Sequence, residues 1–467
     1  MSAPLSHTPR VVVVGAGPAG VRAAAALVDA GVRPIVVDEG MRDGGQIYRR
    51  QPDGFTRSYA KLYGSEADKA EALHRAFDAL RSRVDYQPGT LVWNVTEGAV
   101  HAMRGIEAQT IRYDALIVCS GATDRLLPVP GWNLAGCYSL GAAQIALKAQ
   151  ACAIGSRVVF AGSGPLLYLV ASQYIDAGGR VEAVLDTSPA LPSPGALAAM
   201  LSRPDVVFRG LRFINTLRKR GVVRRNNVKL VAIDGDHDDG VCGITYRDDI
   251  GVDQRIECDA VALGWHLRAE TQLADLADCA FDFEPETRQW LPRIDADGRS
   301  TQPRVYLAGD GARILGADGA EASGRLAALA ALRDLDHAAG RALFDAEAPS
   351  LHKALVRFAS FRSGLARAFP WPHAHVSALP DTAVVCRCEA ITAGELRHAV
   401  NDLESREINR AKAFTRVGMG RCQGRYCGHA AAEVMAHAAQ LPIESVGRLR
   451  SQAPVKPLLM DSLEAKS

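Results

Sequence analysis

A glycine-rich turn near the start of the chain constrains the fold more than any other feature. Gly15, Gly17 and Gly20 follow the β-branched run 11–14 and precede an alanine-rich stretch, 21–30. In a strand–turn–helix unit the first glycine permits the tight turn, and the second lets the backbone approach a pyrophosphate. The third lets the helix pack on the strand. The free N–H groups of the helix N-terminus then face the phosphates. The turn predicts a Rossmann-type dinucleotide-binding unit; the alternative is an ordinary glycine-rich βα turn.

An acidic residue follows at the distance that such a unit requires. The apolar run 34–37 predicts the second strand, and Asp38 at its end lies 18 residues beyond Gly20. A carboxylate there can accept hydrogen bonds from both ribose hydroxyls. Glu39 is the rival for this role. The acid therefore strengthens the prediction of a bound adenine dinucleotide.

A weaker copy of the same unit begins about 147 residues later. Gly162 and Gly164 follow an apolar run, but Leu167 stands where the third glycine belongs. Asp186 ends the return strand, and its charge would repel a 2′-phosphate, so a bound nicotinamide cofactor would be NADH. The alternative is a degenerate domain that is retained for packing or subunit contacts.

Four of the ten cysteines form two close pairs near the C-terminus. Cys386 and Cys388 are separated by one residue, and Cys422 and Cys427 by four. Two pairs of thiolates can ligate the two irons of a [2Fe–2S] cluster. Structural zinc sites usually have two to four residues between paired cysteines, so the tight first pair favours the cluster over zinc.

The remaining residues that could bind a metal are predicted to be structural. Neither His266 nor His429 has a metal-binding partner that is visible in the sequence. Thr392 and Glu395 form a capping box, which predicts a helix that starts just after the first cysteine pair. We expect the other six cysteines to be small core residues: Cys119, Cys137, Cys152, Cys242, Cys258 and Cys279.

Length and charge narrow the class of protein. The 467 residues are too many for one small domain and suggest two or three. A net charge of +2 provides no strong basic field and argues against nucleic-acid binding. The uncharged runs 126–147 and 158–175 are interrupted by Pro and Gly, which argues against membrane spans. The first ten residues lack the apolar stretch of a signal peptide, so we expect a cytoplasmic protein.

A glycine–aspartate motif late in the chain relates the first unit to a known fold. Gly309 and Asp310 follow an apolar strand, and together with the first turn they resemble the two-dinucleotide-binding-domain flavoproteins, an α/β fold with two Rossmann-like units. The resemblance implies that FAD, or another adenine nucleotide, occupies the first unit. It further implies that Asp310 holds the ribityl chain and that Gly121 lies in the crossover between the two units. The stretch 44–48 lacks the redox cysteines of the disulfide reductases, and Gln46 there is a plausible polar contact of the flavin.

The cysteine-rich end resembles the bacterioferritin-associated-ferredoxin-like [2Fe–2S] domain. We therefore predict four parts: an FAD-binding domain (1–145 with 285–345), an NAD(P)-like domain (146–284), a connector with one helix (346–380) and a small helical [2Fe–2S] domain (381–467). No catalytic residues are evident in any of them, because no paired carboxylates or Ser/His/Asp set stands out.

Almost the whole chain is similar to the α (A) subunits of multi-subunit amine and amino-acid dehydrogenases and oxidases. The A subunit of opine oxidase, D-hydroxyproline dehydrogenase α and the B subunit of hydrogen cyanide synthase are of this type. The segments that carry the resemblance are 44–49, 128–132, 162–167 and 316–321. It implies a β subunit with its own FAD that oxidises a secondary amine or amino acid, and in many members a small ferredoxin-like subunit. In some members an FMN lies at the subunit interface.

The resemblance further implies that this chain passes electrons through its cluster to an acceptor such as a quinone, with membrane association through the complex. Two rival functions stay open at this point. One is a stand-alone NADH-dependent flavin and iron–sulfur reductase. The other is a non-catalytic module that binds a partner.

Overall fold

The computed structural model describes residues 8–54 and 56–459. The described part of the chain contains strands that are, in chain order, β1 (Val11–Val14), β2 (Ile35–Asp38), β3 (Asp85–Pro88), β4 (Thr90–Thr96), β5 (Ala99–Arg104), β6 (Glu107–Arg112), β7 (Ala115–Val118), β8 (Ala122–Asp124), β9 (Cys137–Ser139), β10 (Val158–Ser163), β11 (Val181–Asp186), β12 (Val223–Arg225), β13 (Lys229–Asp236), β14 (Gly240–Arg247), β15 (Asp253–Glu257), β16 (Ala260–Trp265), β17 (Leu267–Ala269), β18 (Phe281–Glu284), β19 (Gln289–Pro292), β20 (Val305–Leu307), β21 (Val384–Cys386) and β22 (Ile391–Thr392).

The helices complete the order of elements. They are α1 (Pro18–Asp29), α2 (Tyr59–Tyr63), α3 (Ala67–Leu80), α4 (Leu140–Ala149), α5 (Pro165–Asp176), α6 (Pro194–Met200), α7 (Pro204–Lys219), α8 (Gln272–Leu276), α9 (Gly316–Asp334), α10 (Ala338–Ala368), α11 (His373–Ser377), α12 (Ala393–Asn401), α13 (Ile408–Thr415), α14 (Gly428–Ala439) and α15 (Ile443–Val446). Among the described residues, no helix is long and apolar enough to cross a membrane.

The first sheet is parallel, with the strand order β20-β7-β1-β2-β3. Its central strand β1 is buried on both faces. Val11 and Val13 pack against α1 and α9, whereas Val12 and Val14 face the antiparallel sheet β4–β6. A parallel sheet that is covered on both sides requires a continuous apolar strand, which explains the unbroken valine run.

The second sheet is also parallel, with the order β12-β11-β10-β16-β9. It confirms the prediction of an α/β fold with two Rossmann-like units. The sheet takes up β9, which lies before residue 146, and the predicted boundary at 145/146 falls inside α4. This difference arises because β9 pairs with β16, a contact across more than 100 residues that no local pattern reveals.

Two short strands join the units where the chain crosses between them. β8 leaves the first unit, β17 returns from the second, and the two pair antiparallel. We call this pair the crossover ribbon. It lies between the carboxyl ends of the first sheet and the C-terminal domain.

The predicted connector 346–380 begins inside a long helix. α10 has 31 residues and is capped by His337, whose side chain accepts a hydrogen bond from the N–H of Gly340. A Cβ at Gly340 would lie 2.3 Å from the Cβ of Leu332, so this glycine lets α10 approach α9 closely.

The C-terminal part is a small helical domain with the hairpin β21–β22. The predicted capping box is confirmed, since Thr392 accepts from Glu395 N and the Glu395 carboxylate accepts from Thr392 N. Of the six cysteines predicted to lie in the core, Cys152 and Cys242 are exposed. Cys152 follows the end of α4, and Cys242 points outward from β14, where its sulfur accepts a hydrogen bond from Arg255.

Candidate functional site

Two of the three glycines in the first turn, Gly15 and Gly20, lie where a side chain would not fit. A Cβ at Gly20 would lie only 1.7 Å from the carbonyl oxygen of Gly15, so the start of α1 can pack here only without a side chain. Gly15 has φ +102°, and a Cβ there would meet the carbonyl oxygen of Cys119 at 2.4 Å. Gly17 differs, because its φ is −77° and a Cβ would meet only Gly45 Cα, at 3.6 Å. No close contact within the protein requires a glycine at position 17, whereas a phosphate bound at this turn would.

Asp38 lies directly beside this turn. Its carboxylate accepts hydrogen bonds from the backbone N–H groups of Ala16 and Gly40, and burial raises its pKa. Its rival Glu39 is half exposed and pairs with Lys456 from the C-terminal segment. The geometry therefore favours Asp38 over Glu39 as the ribose ligand.

The glycine–aspartate motif lies at the same edge of the sheet. A Cβ at Gly309 would approach Ala19 Cβ to 2.8 Å, and one at Gly311 would approach Ser120 Oγ to 2.4 Å. The motif therefore packs between the start of α1 and the residues Ser120 and Gly121, which precede the crossover ribbon. One oxygen of Asp310 accepts from two N–H groups at the start of α9, at 2.9 and 3.1 Å, and burial raises its pKa to about 6.

Gln46 lies at the mouth of the glycine turn. A Cβ on the neighbouring Gly45 would come within 2.9 Å of Gly17 Cα, so the segment 44–46 packs directly on the turn. The Gln46 side chain is exposed and accepts a hydrogen bond of 2.5 Å from Arg49. The structure brings Gln46, Asp38 and the glycine turn together.

The second glycine turn differs from the first, because a histidine side chain lies against it. Gly162 has a positive φ, and its missing Cβ lets β10 approach Gly264, whose oxygen would lie 1.8 Å away. A Cβ at Gly164 would meet the imidazole of His266 at 3.1 Å, so this ring lies directly against the turn. His266 Nε2 donates to the carbonyl oxygen of Phe369 at 2.9 Å, and burial lowers the pKa of the imidazole to about 4. The segment after α10 therefore covers the turn.

Asp186 does not point into an open groove. Its carboxylate is fully buried and accepts from the hydroxyl of Tyr168 at 2.6 Å and from the backbone N–H of Ser188 at 2.8 Å. The hydroxyl of Ser188 donates to the same carboxylate. Both oxygens are thus occupied by the protein, a result that the strand-end position of Asp186 could not reveal.

The four predicted cysteine ligands converge in the C-terminal domain. Cys386 ends β21, and Cys427 immediately precedes α14. Hydrogen bonding from Cys427 lowers the pKa of Cys386 to about 6 and contributes most to lowering that of Cys422 to about 5. Cys388 in turn contacts Cys422. The sulfurs therefore form a connected set of four.

Backbone N–H groups also point at these sulfurs. Those of Gly418 and Glu389 face Cys386, and those of Gly424 and Tyr426 face Cys422. Among the described residues, no three His, Cys, Asp or Glu side chains surround a point suited to a single metal ion. A [2Fe–2S] cluster has no such requirement, because each iron takes only two thiolates. The residues present fit a two-iron cluster.

The loop between Cys422 and Cys427 is fastened to the crossover ribbon. Arg425 is almost fully buried and forms an ion pair of 2.7 Å with Glu270. Arg268 donates to the carbonyl oxygen of Arg425 at 3.0 Å, and Gln272 to that of Gln423 at 2.8 Å. The sequence analysis did not predict these contacts, which join residues about 150 positions apart.

The ribbon end that holds the cysteine loop also contacts the first nucleotide site. The N–H of Glu270 donates to the carbonyl oxygen of Gly121 at 2.9 Å, and the hydroxyl of Ser120 donates to that of Glu270 at 2.5 Å. A short series of direct contacts thus connects the glycine–aspartate motif with the cysteine loop.

Comparison with known families agrees with both sites. Residues 9–326 match the pyridine nucleotide-disulphide oxidoreductases. The chain belongs to this family. Residues 384–437 match the BFD-like [2Fe-2S] binding domain. The first domain accordingly binds FAD and the C-terminal domain a [2Fe–2S] cluster, in agreement with the open turn at Gly17 and the four connected thiols.

Relatives that match almost the whole chain confirm the resemblance to the α (A) type. The chain is 38% identical to the A subunit of opine oxidase from Rhizobium meliloti, over 97% of this chain and 86% of the relative. It is 30% identical to hydrogen cyanide synthase subunit HcnB of Pseudomonas protegens, over 96% of each chain. The crystal structure of L-proline dehydrogenase from P. horikoshii has the same fold, with a TM-score of 0.68 at 16% identity, covering 97% of this chain and 78% of that one.

Proposed function

We propose that this chain is the electron-transfer subunit of a hetero-oligomeric flavin-dependent dehydrogenase or oxidase. A partner subunit with its own FAD oxidises a secondary amine or amino acid of the opine, D-hydroxyproline, proline, sarcosine or glycine class. This chain receives the electrons and passes them through its cluster to an acceptor such as a quinone. The names of the opine oxidase and hydrogen cyanide synthase relatives, which are subunits, support this assignment.

The single observation that carries the proposal is the fastening of the cysteine loop to the edge of the flavin site. Glu270 contacts Gly121 on one side and Arg425 on the other. When bound, the flavin accepts two electrons at once, whereas an iron–sulfur cluster carries them singly. The residues of this chain hold Asp310 and the thiols of Cys422 and Cys427 in one fixed arrangement, which suits a relay.

The second nucleotide unit supports an external source of electrons over the stand-alone NADH reductase. The imidazole of His266 lies against Gly164, where the pyrophosphate of a dinucleotide would approach. Asp186, whose charge is expected to disfavour a 2′-phosphate, is buried, and both its oxygens accept hydrogen bonds from Tyr168 and Ser188. NADH would have to displace both arrangements. We therefore assign this unit a structural role, in which it packs against the segment after α10.

A recombination experiment tests the proposal. The complex is purified from its native cells, and this chain is separated from its partners under mild conditions. Alone, the chain should oxidise none of these amine classes with an artificial electron acceptor, and activity should return when the fractions are recombined. Substrate oxidation by the isolated chain would contradict the proposal. A ferredoxin-like subunit and an interfacial FMN would be detected in the same preparation as an additional small chain and as FMN released on denaturation.

A further inference from the structure

A small group of charged side chains lies behind the cysteine loop, on the crossover ribbon. It consists of Arg268 from the ribbon, Glu270 directly after the ribbon, and Arg425 from the loop itself. Arg425 is 7% exposed, and the Glu270 side chain is 12% exposed. Charges in such a place are weakly screened, since neither water nor dissolved ions surround them.

The three charges do not cancel. Arg425 and Glu270 are paired at 2.7 Å and neutralise each other. Arg268 uses its Nη1 to donate to a backbone carbonyl, and its buried Nε has no hydrogen-bond partner among the described residues. One guanidinium charge is therefore left over, since arginine stays protonated even when it is buried.

This excess charge acts on the cluster ligands. Arg268 Nη1 lies 3.0 Å from the carbonyl oxygen of Arg425, which is three positions after Cys422 and two before Cys427. A guanidinium held this close to the ligand loop stabilises negative charge on the two sulfurs of that loop. Glu270 has the opposite effect, and the guanidiniums of Arg425 and Arg268 overcome its burial and hold its pKa below the usual range.

We propose that Arg268 and Glu270 are positioning residues that set the reduction potential of the cluster, Arg268 raising it and Glu270 lowering it. The inference rests on the proposed function, because it concerns the cluster through which electrons leave. One-electron reduction adds one negative charge to the four-thiolate centre and neither forms nor breaks a covalent bond. A fixed cation nearby stabilises the reduced form, and a fixed anion destabilises it.

Charge-removing variants of the full chain test the inference. The ratio of reduced to oxidised cluster is measured by EPR during a potentiometric titration of the purified holoprotein. At an effective dielectric constant of about 20, a unit charge ~10 Å from a redox centre changes a one-electron equilibrium roughly tenfold. Arg268→Gln should therefore lower this ratio about tenfold at a fixed potential, which corresponds to ~59 mV. Glu270→Gln should shift the ratio in the opposite direction.

Two further variants separate charge from structure. Arg268→Lys keeps the charge, so the reduction potential of its cluster should stay close to that of wild type. Arg406→Gln removes the same charge from an exposed position of the C-terminal domain and should leave the potential unchanged. If Arg268→Gln fails to take up iron, Glu270→Gln still tests the sign of the charge effect.

The outcomes are distinguishable. An unchanged potential in Arg268→Gln, or shifts in the same direction in both glutamine variants, would overturn the inference. A wild-type chain that contains neither iron nor a cluster spectrum would instead refute the proposed function.

Discussion

Replacing Gly17 by alanine should weaken flavin binding without harming the fold. The backbone of Gly17 is extended, with φ −77° and ψ −172°, which alanine adopts without strain. The added Cβ would meet Gly45 Cα at 3.6 Å, an ordinary contact. Because alanine has fewer unfolded conformations, the flavin-free variant should be as stable as wild type or more stable, by up to about 1 kcal/mol. The same methyl group would stand where the pyrophosphate approaches, so FAD affinity should fall at least tenfold, or by about 1.4 kcal/mol.

Gly20→Ala is the matched control, with the same chemical change three residues later. Its Cβ would lie 1.7 Å from the carbonyl oxygen of Gly15, so α1 would have to move away from β1. Such overpacking costs about 1–3 kcal/mol of folding free energy or more. Both variants are purified, their dissociation constants for FAD are measured, and the flavin-free proteins are unfolded in urea. A Gly17→Ala protein that binds FAD as tightly as wild type, or one that is destabilised as much as Gly20→Ala, would refute the reasoning.

Three further predictions follow from the described contacts. Cys422→Ser should lose the cluster absorbance and its iron while flavin absorbance stays, and a full iron complement in this variant would refute the ligand assignment. Burial raises the pKa of Asp310 from 3.8 to about 6, so the folded protein binds the extra proton and this group's contribution to stability is lost as the pH rises from about 4 to about 6. The free energy of unfolding of flavin-free Asp310→Asn, measured in urea relative to wild type, should therefore rise by roughly 2 kcal/mol over that pH interval. A difference between the two proteins that does not change with pH would contradict this prediction. Asp275 is buried and accepts hydrogen bonds from Arg448 and from the N–H of Ser451, at 2.7 and 2.6 Å. Asp275→Asn leaves Arg448 without its charged partner, so it should destabilise the protein by ~3 kcal/mol in thermal unfolding. The variant should keep its iron.

The first nucleotide unit could be predicted from the sequence because its determinants are local. The spacing from Gly15 to Asp38 fixes a strand, a turn, a helix and a second strand within about 30 residues, and the structure has all four. The two cysteine pairs are likewise recognised by spacing within each pair. In both cases a short stretch of chain contains the residues that act together.

The contacts that distinguish this chain could not be predicted in the same way. Glu270 and Arg425 meet across 155 residues, and His266 reaches Phe369 across 103. Neither pair has a characteristic local sequence. The strand-end position of Asp186 indicates a charge that faces a bound cofactor, yet its burial beneath Tyr168 depends on how α5 packs on the second sheet. Tertiary packing here reassigns a side chain whose local position indicates another role.

The most direct test of the electron-transfer role is an anaerobic visible-light titration of the purified chain with NADH, followed by dithionite. We predict that the flavin and cluster bands are unchanged by excess NADH and bleach with dithionite, because His266 and the segment after α10 cover the second glycine turn. Stoichiometric bleaching of both bands by NADH would contradict this prediction, and would show that the second nucleotide unit supplies the electrons.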